Sequence, residues 1–130
     1  MGIHVSWHNS DQAILMVEYD AEWTLTDYYA SVEKSYELME SVKHAVDIVQ
    51  DASKMSSFPT RLISAAHYTE GRAHPRRRYM VIFGLHAFVR IILESSKRVA
   101  PNATKDMYFV NTKDEALSLL QKLTNPLSQT

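Results

Sequence analysis

Five short apolar runs, each closed by a polar turn and all but the first followed by a stretch with helical spacing, organise almost the whole 130-residue chain. Ile3 to His8 alternates apolar and polar residues, as a half-exposed strand does, and Asn9-Ser10-Asp11 supplies the turn after it. Ala13 to Tyr19 is apolar nearly throughout, which fits a strand covered on both faces. Val46 to Gln50 and Tyr79 to Phe83 are further runs of this kind, and Met107 to Val110 is the last. Tyr79 to Phe83 is the most apolar and is therefore the expected central strand.

The intervening stretches carry helix signals. Thr24 or Thr26 caps the first helix, whose inward face is expected to be Tyr29, Val32, Tyr36, Met39 and Val42. The second runs from about Thr60, just after Pro59, to Glu70, with Gly71 in the left-handed conformation that ends it. The third follows Gly84 and spans His86 to about Val99. The fourth opens on a capping box, Thr112 to Glu115, and buries Ala116, Leu119, Leu120 and Leu123. Right-handed crossovers set strands two to five side by side and parallel, with the first strand as an antiparallel edge and helices on both faces. The expected architecture is one layered α/β domain, about 3–123, with a mostly parallel sheet of about five strands, about four helices and a flexible tail at 124–130. In such sheets the polar connections at the strand ends are where ligands and partners bind.

The apolar share of 45% and charged share of 22% belong to a globular chain and exclude wholesale disorder. There is no cysteine, hence neither disulfide nor thiolate chemistry. Met1 to His8 lacks the basic start and apolar block of a secretory signal, so a cytoplasmic location is expected. The stretch Tyr79 to Leu93 is broken by Gly84, His86 and Arg90 and is too short for a transmembrane segment. Charge is divided along the chain: residues 1–65 carry four Lys/Arg against ten Asp/Glu, and residues 66–130 carry ten against five. Either the halves attract each other within one fold, or the basic half offers a face to an acidic partner or phosphate. A net charge of −1 speaks against a dedicated nucleic-acid binder.

The order strand, strand, helix, strand, helix, strand, helix, strand, helix resembles the STAS-like superfamily, named for sulfate transporter domains and anti-sigma factor antagonists. The local features that carry the resemblance are a strand ending in Asp51 before a Ser-rich loop, Met80 to Phe83 closing at Gly84, and Asp-Glu-Ala-Leu at Asp114 to Leu117. The resemblance implies a non-enzymatic regulatory or scaffolding module that acts through a protein partner, with no cofactor. In the antagonist branch the loop after the third strand reads Asp-Ser-Ser-Gly-Leu and one serine is phosphorylated. Here the matching stretch is Ser56-Ser57-Phe58-Pro59-Thr60-Arg61-Leu62, without the aspartate and the glycine, which weakens a phosphorylation switch.

Candidate residues gather at the expected strand ends. Asp51, Ser53, Ser56, Ser57 and Thr60 form a loop before a helix start, either as caps or as a site for a partner or an anion. His86 and Arg90 share one side of the third helix and meet the same edge. Trp23, Phe58, Phe83 and Phe88 are the candidates to line a small-molecule or lipid pocket, the alternative function. Arg76-Arg77-Arg78 reads as a solvated loop guarding the strand that follows it. No spacing of histidines and acids suits a metal, and Asp51, Ser57 and His86 lack the context of a catalytic triad. Homodimerisation through a sheet edge or helix face is a further expectation.

Overall fold

The computed structural model describes residues 2–56, 67–86, 94, 96–98, 100–102 and 104–125. Five strands, β1 (Ile3–Trp7), β2 (Ile14–Tyr19), β3 (Val46–Asp51), β4 (Arg77–Phe83) and β5 (Met107–Val110), form one sheet in the order β1-β2-β3-β4-β5. β1 runs antiparallel to β2, and the remaining neighbours are parallel. Two regular helices are described, α1 (Leu25–Glu40) and α2 (Lys113–Thr124), together with helical residues 67–70 and a 3-10 turn at Ser96–Arg98. The second and third expected helices thus fall largely outside the described residues.

Strand order follows chain order, and for parallel strands taken in that order the right-handed rule puts a crossover helix such as α1 on one particular face. α1 and residues 67–70 lie together there: the Tyr28 and Thr69 hydroxyls share a hydrogen bond of 2.5 Å, and the Tyr29 and Tyr68 rings are 4.4 Å apart. α2 follows the last strand, is free of that constraint, and covers the opposite face. Leu15, Val17, Tyr19, Ile48, Met80 and Ile82 pack with Met39 and Val42 into one layer, while Met16, Val49, Val81 and Phe83 pack with Ala116 and Leu120 into the other. The strand alternation of two, with apolar residues at both phases, is what supplies two cores from one sheet.

Several local expectations are corrected. The geometric centre is β3, with β4 one place further out, because position in the sheet is set by chain order and not by hydropathy. Of the expected inward face, Met39 and Val42 do pack against the sheet, but at the earlier turns of α1 Tyr28, Ser31 and Ser35 face it, one position before the expected Tyr29, Val32 and Tyr36. Ser31 and Ser35 can be buried because their hydroxyls donate to the carbonyls of Tyr28 (2.7 Å) and Ser31 (2.8 Å) within the helix. Tyr29 and Tyr36 turn instead toward the segment after β3, against Tyr68 and His74. The reciprocal capping box is at Thr24 and Asp27, whereas at α2 Thr112 Oγ1 accepts from Glu115 N (3.1 Å) and the return bond is replaced by one between the two side chains. Gly84 is the glycine with positive φ among the described residues, so Gly71 ends its helical turn without the left-handed conformation.

Arg77 and Arg78 are not loop residues: they open β4, where the pairing with β3 shifts by one residue between Val46 and Ile48. Asp47, 3% exposed within β3, fills that irregularity. Its Oδ1 accepts from Tyr79 N and Arg78 Nε, and its Oδ2 from Arg78 Nη2, all at 3.1 Å. The divided charge of the chain is spent inside the fold in the same way: Arg72 pairs with Glu33 at 2.7 Å, and His74 and Arg76 reach Glu40 at 3.0 and 3.6 Å.

Candidate functional site

Three chain-distant loops meet at the C-terminal ends of β2, β3 and β4. The polypeptide leaves β3 through Asp51, whose Oδ1 accepts from Ser53 N (2.9 Å) and Ser53 Oγ (2.6 Å), folding the loop back on its own strand end. Ala52, 3% exposed, donates its amide to the Phe83 carbonyl at 3.0 Å, tying this loop to the end of β4. Ser56 reaches the loop after β2, its amide and hydroxyl both donating to the Ala21 carbonyl at 3.0 and 2.7 Å.

Gly84 closes the seam. Its φ of +83° is one that L side chains rarely adopt, and a Cβ there would stand 2.7 Å from Ser53 Cα. The two backbones approach as closely as they do because position 84 has no side chain. Ser53, Lys54, Ser56 and His86 are left exposed along the resulting rim. Asp51 also borders an open groove of about 200 Å³ on the α2 face, shared with Glu18, His8 and Lys113. Glu18 and Asp51 are register neighbours on β2 and β3, so two carboxylates stand side by side at its wall.

The structure therefore brings together Asp51, Ser53, Ser56 and His86 of the residues singled out by sequence. Ser57, Thr60 and Arg90 lie outside the described residues. The hydroxyls of Ser53 and Ser56 each donate to a structural acceptor, so phosphorylating either would remove a bond that shapes the loop. Trp23 and Phe83 do not meet: Trp23 packs edge-on to Tyr19 at 5.0 Å on the α1 face, and Phe83 belongs to the core under α2. The sheet itself separates them, so they do not line one pocket, and Phe58 and Phe88 are not described. Among the described residues no group of His, Asp and Glu is arranged to hold a metal, and no helix is long and apolar enough to cross a membrane.

Sequence reasoning missed a cavity of about 60 Å³ between α1 and the sheet, bordered by Ser31, Ser35, Tyr28, His74 and Arg77. The signal was present as two serines at helical spacing inside an otherwise amphipathic helix, but serine scores as polar in any hydrophobic pattern. Burial pushes the Tyr19 and Tyr28 phenols above their ordinary range, Tyr19 the further. Outside this region, the Tyr68 hydroxyl and then Arg72, both donating to Glu33, draw its carboxyl below the usual range.

No family model matches the sequence, and no curated protein matches it. Among solved structures the chain is similar to one described as an anti-sigma-factor antagonist (STAS) domain protein from Planctomyces limnophilus, at 13% identity and a TM-score of 0.61. The match covers 92% of this chain and 98% of that one. At such an identity the likeness is one of architecture: the chain has the STAS-like fold.

Proposed function

We propose that the protein is a non-enzymatic regulatory or scaffolding module that binds a protein partner through the rim formed by Ser53, Lys54, Ser56 and His86. The observation that carries this reading is the joining of three distant loops into one braced edge, locked by the Gly84 approach to Ser53 and by the double donation of Ser56 to Ala21. Loops positioned by a rigid sheet are suited to recognition, since little conformational entropy is lost when a partner docks. The described rim side chains offer hydroxyls, an ammonium group and an imidazole. The likeness to a protein described as an anti-sigma-factor antagonist supports the regulatory reading at the level of fold.

The test is affinity capture from the native host with tagged protein, followed by direct binding measurements with whatever protein is retained. His86→Ala and Lys54→Ala, both exposed positions, are expected to weaken that binding at least tenfold without changing Tm. Lys34→Ala and Glu37→Ala on the outer face of α1 are expected to leave it intact. Equal binding by all four variants would remove the rim as the docking surface.

A further inference from the structure

β1 (Ile3–Trp7) stands at one end of the sheet, with β2 as its neighbour on one side. Two backbone bonds flank it, His8 N donating to the Ile14 carbonyl and Asp20 N to the Gly2 carbonyl, both at 2.8 Å, and they show which way each residue faces. In an antiparallel ladder, residues that exchange bonds with the neighbour alternate with residues that do not. Followed inward from these two bonds through His4↔Glu18 and Ser6↔Met16, the even-numbered residues of β1 direct their backbone groups at β2. Ile3, Val5 and Trp7 therefore aim their N–H and C=O groups away from the sheet, and among the described residues no backbone group meets them.

An open edge of this kind is ordinarily guarded by lysine, proline, a bulge or an inward-pointing charge. β1 carries none of them: its sequence is Ile-His-Val-Ser-Trp, and its register with β2 is regular throughout. The outward groups are also symmetric about Val5. A two-fold axis there sets Val5 of one copy against Val5 of another and Ile3 of each against Trp7 of the other, and in that register every outward N–H meets an outward C=O. A slip of two residues leaves Ile3 or Trp7 without a counterpart, and a slip of one turns the bonding groups away. The side chains agree with the same register. On the α1 face Ile3, Val5 and Trp7 are half-buried at the margin of the core, and the pairing sets an indole against a β-branched side chain at each end. On the other face His4 of each copy stands opposite Ser6 of the other, so no like charges are directly opposed.

We infer that β1 is a self-association edge, through which two copies of this chain join antiparallel about Val5 and carry one sheet through both. The self-complementary register is what favours a second copy over a foreign strand. A contact built on a strand of five residues falls short of the ~20–30 residues a side of a standard interface, so the dimer is a weak one that dissociates on dilution. The contact uses none of the rim residues and stands or falls independently of the partner-binding reading.

The experiment is sedimentation equilibrium of the whole chain over a wide range of concentration, with amide hydrogen exchange measured on dilute and concentrated samples. The average mass is expected to climb from one chain toward two. The amides of Ile3, Val5 and Trp7 should gain protection with concentration, while those of β5 at the opposite edge should not. Val5→Pro deletes an outward N–H and leaves the ladder to β2 whole, and Ser6→Lys sets a charge on the open edge at an exposed position. Each should weaken association at least tenfold, whereas Gln121→Lys, an equal charge at an exposed position of α2, should leave it unchanged. Because Ser6 is exposed, its variant keeps the test alive should Val5→Pro fail to fold. A monomer at every concentration would overturn the inference. So would association that Ser6→Lys leaves intact, or that protects β5 in place of β1.

Discussion

Replacing Asp47 with alanine examines whether one buried carboxylate holds the junction of β3 and β4. Asp47 accepts three hydrogen bonds of 3.1 Å, two from the Arg78 guanidinium and one from the Tyr79 amide at the register shift. Without the carboxylate that amide loses its acceptor, at a cost of about 1–3 kcal/mol. The Arg78 side chain is 40% exposed and can be rehydrated, so losing its bonds adds less than a fully buried pair would. A total of about 2–4 kcal/mol is expected for Asp47→Ala. Arg78→Met is worse, because it strands a carboxylate whose side chain is only 4% exposed, with one backbone donor left, and about 3–5 kcal/mol follows. The double variant removes that stranded charge and keeps only the orphaned amide, so it should be more stable than Arg78→Met alone, within about 1–3 kcal/mol of the parent. Urea unfolding followed by circular dichroism measures all four proteins on one scale. Two results would refute the reasoning: Asp47→Ala within about 0.5 kcal/mol of the parent, or a double variant whose loss equals the sum of the singles.

Gly84→Ala combines a left-handed residue with a 2.7 Å approach to Ser53 Cα, and a loss above about 2 kcal/mol is expected in the same urea assay, together with weakened partner capture. Thr24→Ala removes the acceptor for Asp27 N (3.1 Å) and should cost about 1 kcal/mol, while Thr24→Ser should cost little. Tyr19 and Tyr28 hold their protons above the ordinary tyrosine range because they are buried. The unfolded chain therefore deprotonates first: their contribution is complete below about pH 10 and falls above it by up to about 1.4 kcal/mol per pH unit for each group, until the folded-state values are reached. Urea midpoints measured from neutral pH upward should drop steeply in alkali, and Tyr19→Phe should flatten that drop; an unchanged slope would mean that other groups govern alkaline unfolding.

The strands were legible because β2 to β5 each hold a largely apolar run, as a strand covered on both faces must, while β1 shows the alternation of a half-exposed edge. A threonine cap was readable from local chemistry as Thr24 or Thr26, and the structure has Thr24; the topology followed from the right-handed rule once the alternation of strands and helices was recognised. The orientation of α1 was not. A periodicity count favours Tyr29, Val32 and Tyr36, yet Tyr29 and Tyr36 pack against Tyr68 and His74, and two self-satisfied serines face the sheet. The arginine run was read as a solvated guard because nothing local distinguishes a strand-opening arginine from a loop one. The information lay 31 residues away in sequence, in an aspartate inside an apolar strand.

For the candidate site, Asp51, Ser53, Ser56 and His86 were identified from their places at expected strand ends, and the topology brings them to a common edge. Which other residues would share that edge, and which would not, needed coordinates. Trp23 and Phe83 look alike as large apolar residues beside strand ends, but one step of the pleat sends Phe83 through the sheet to the other core. The anchoring of Arg77 is likewise invisible in sequence, since whether a guanidinium finds its acceptors depends on carbonyls contributed by Asn102 and Lys105. Short-range physics, namely propensity, capping and hydrophobic period, dictated the elements and their succession. Register, the facing of each helix and the satisfaction of buried charges were settled between segments tens of residues apart, because those energies exist only once the segments touch.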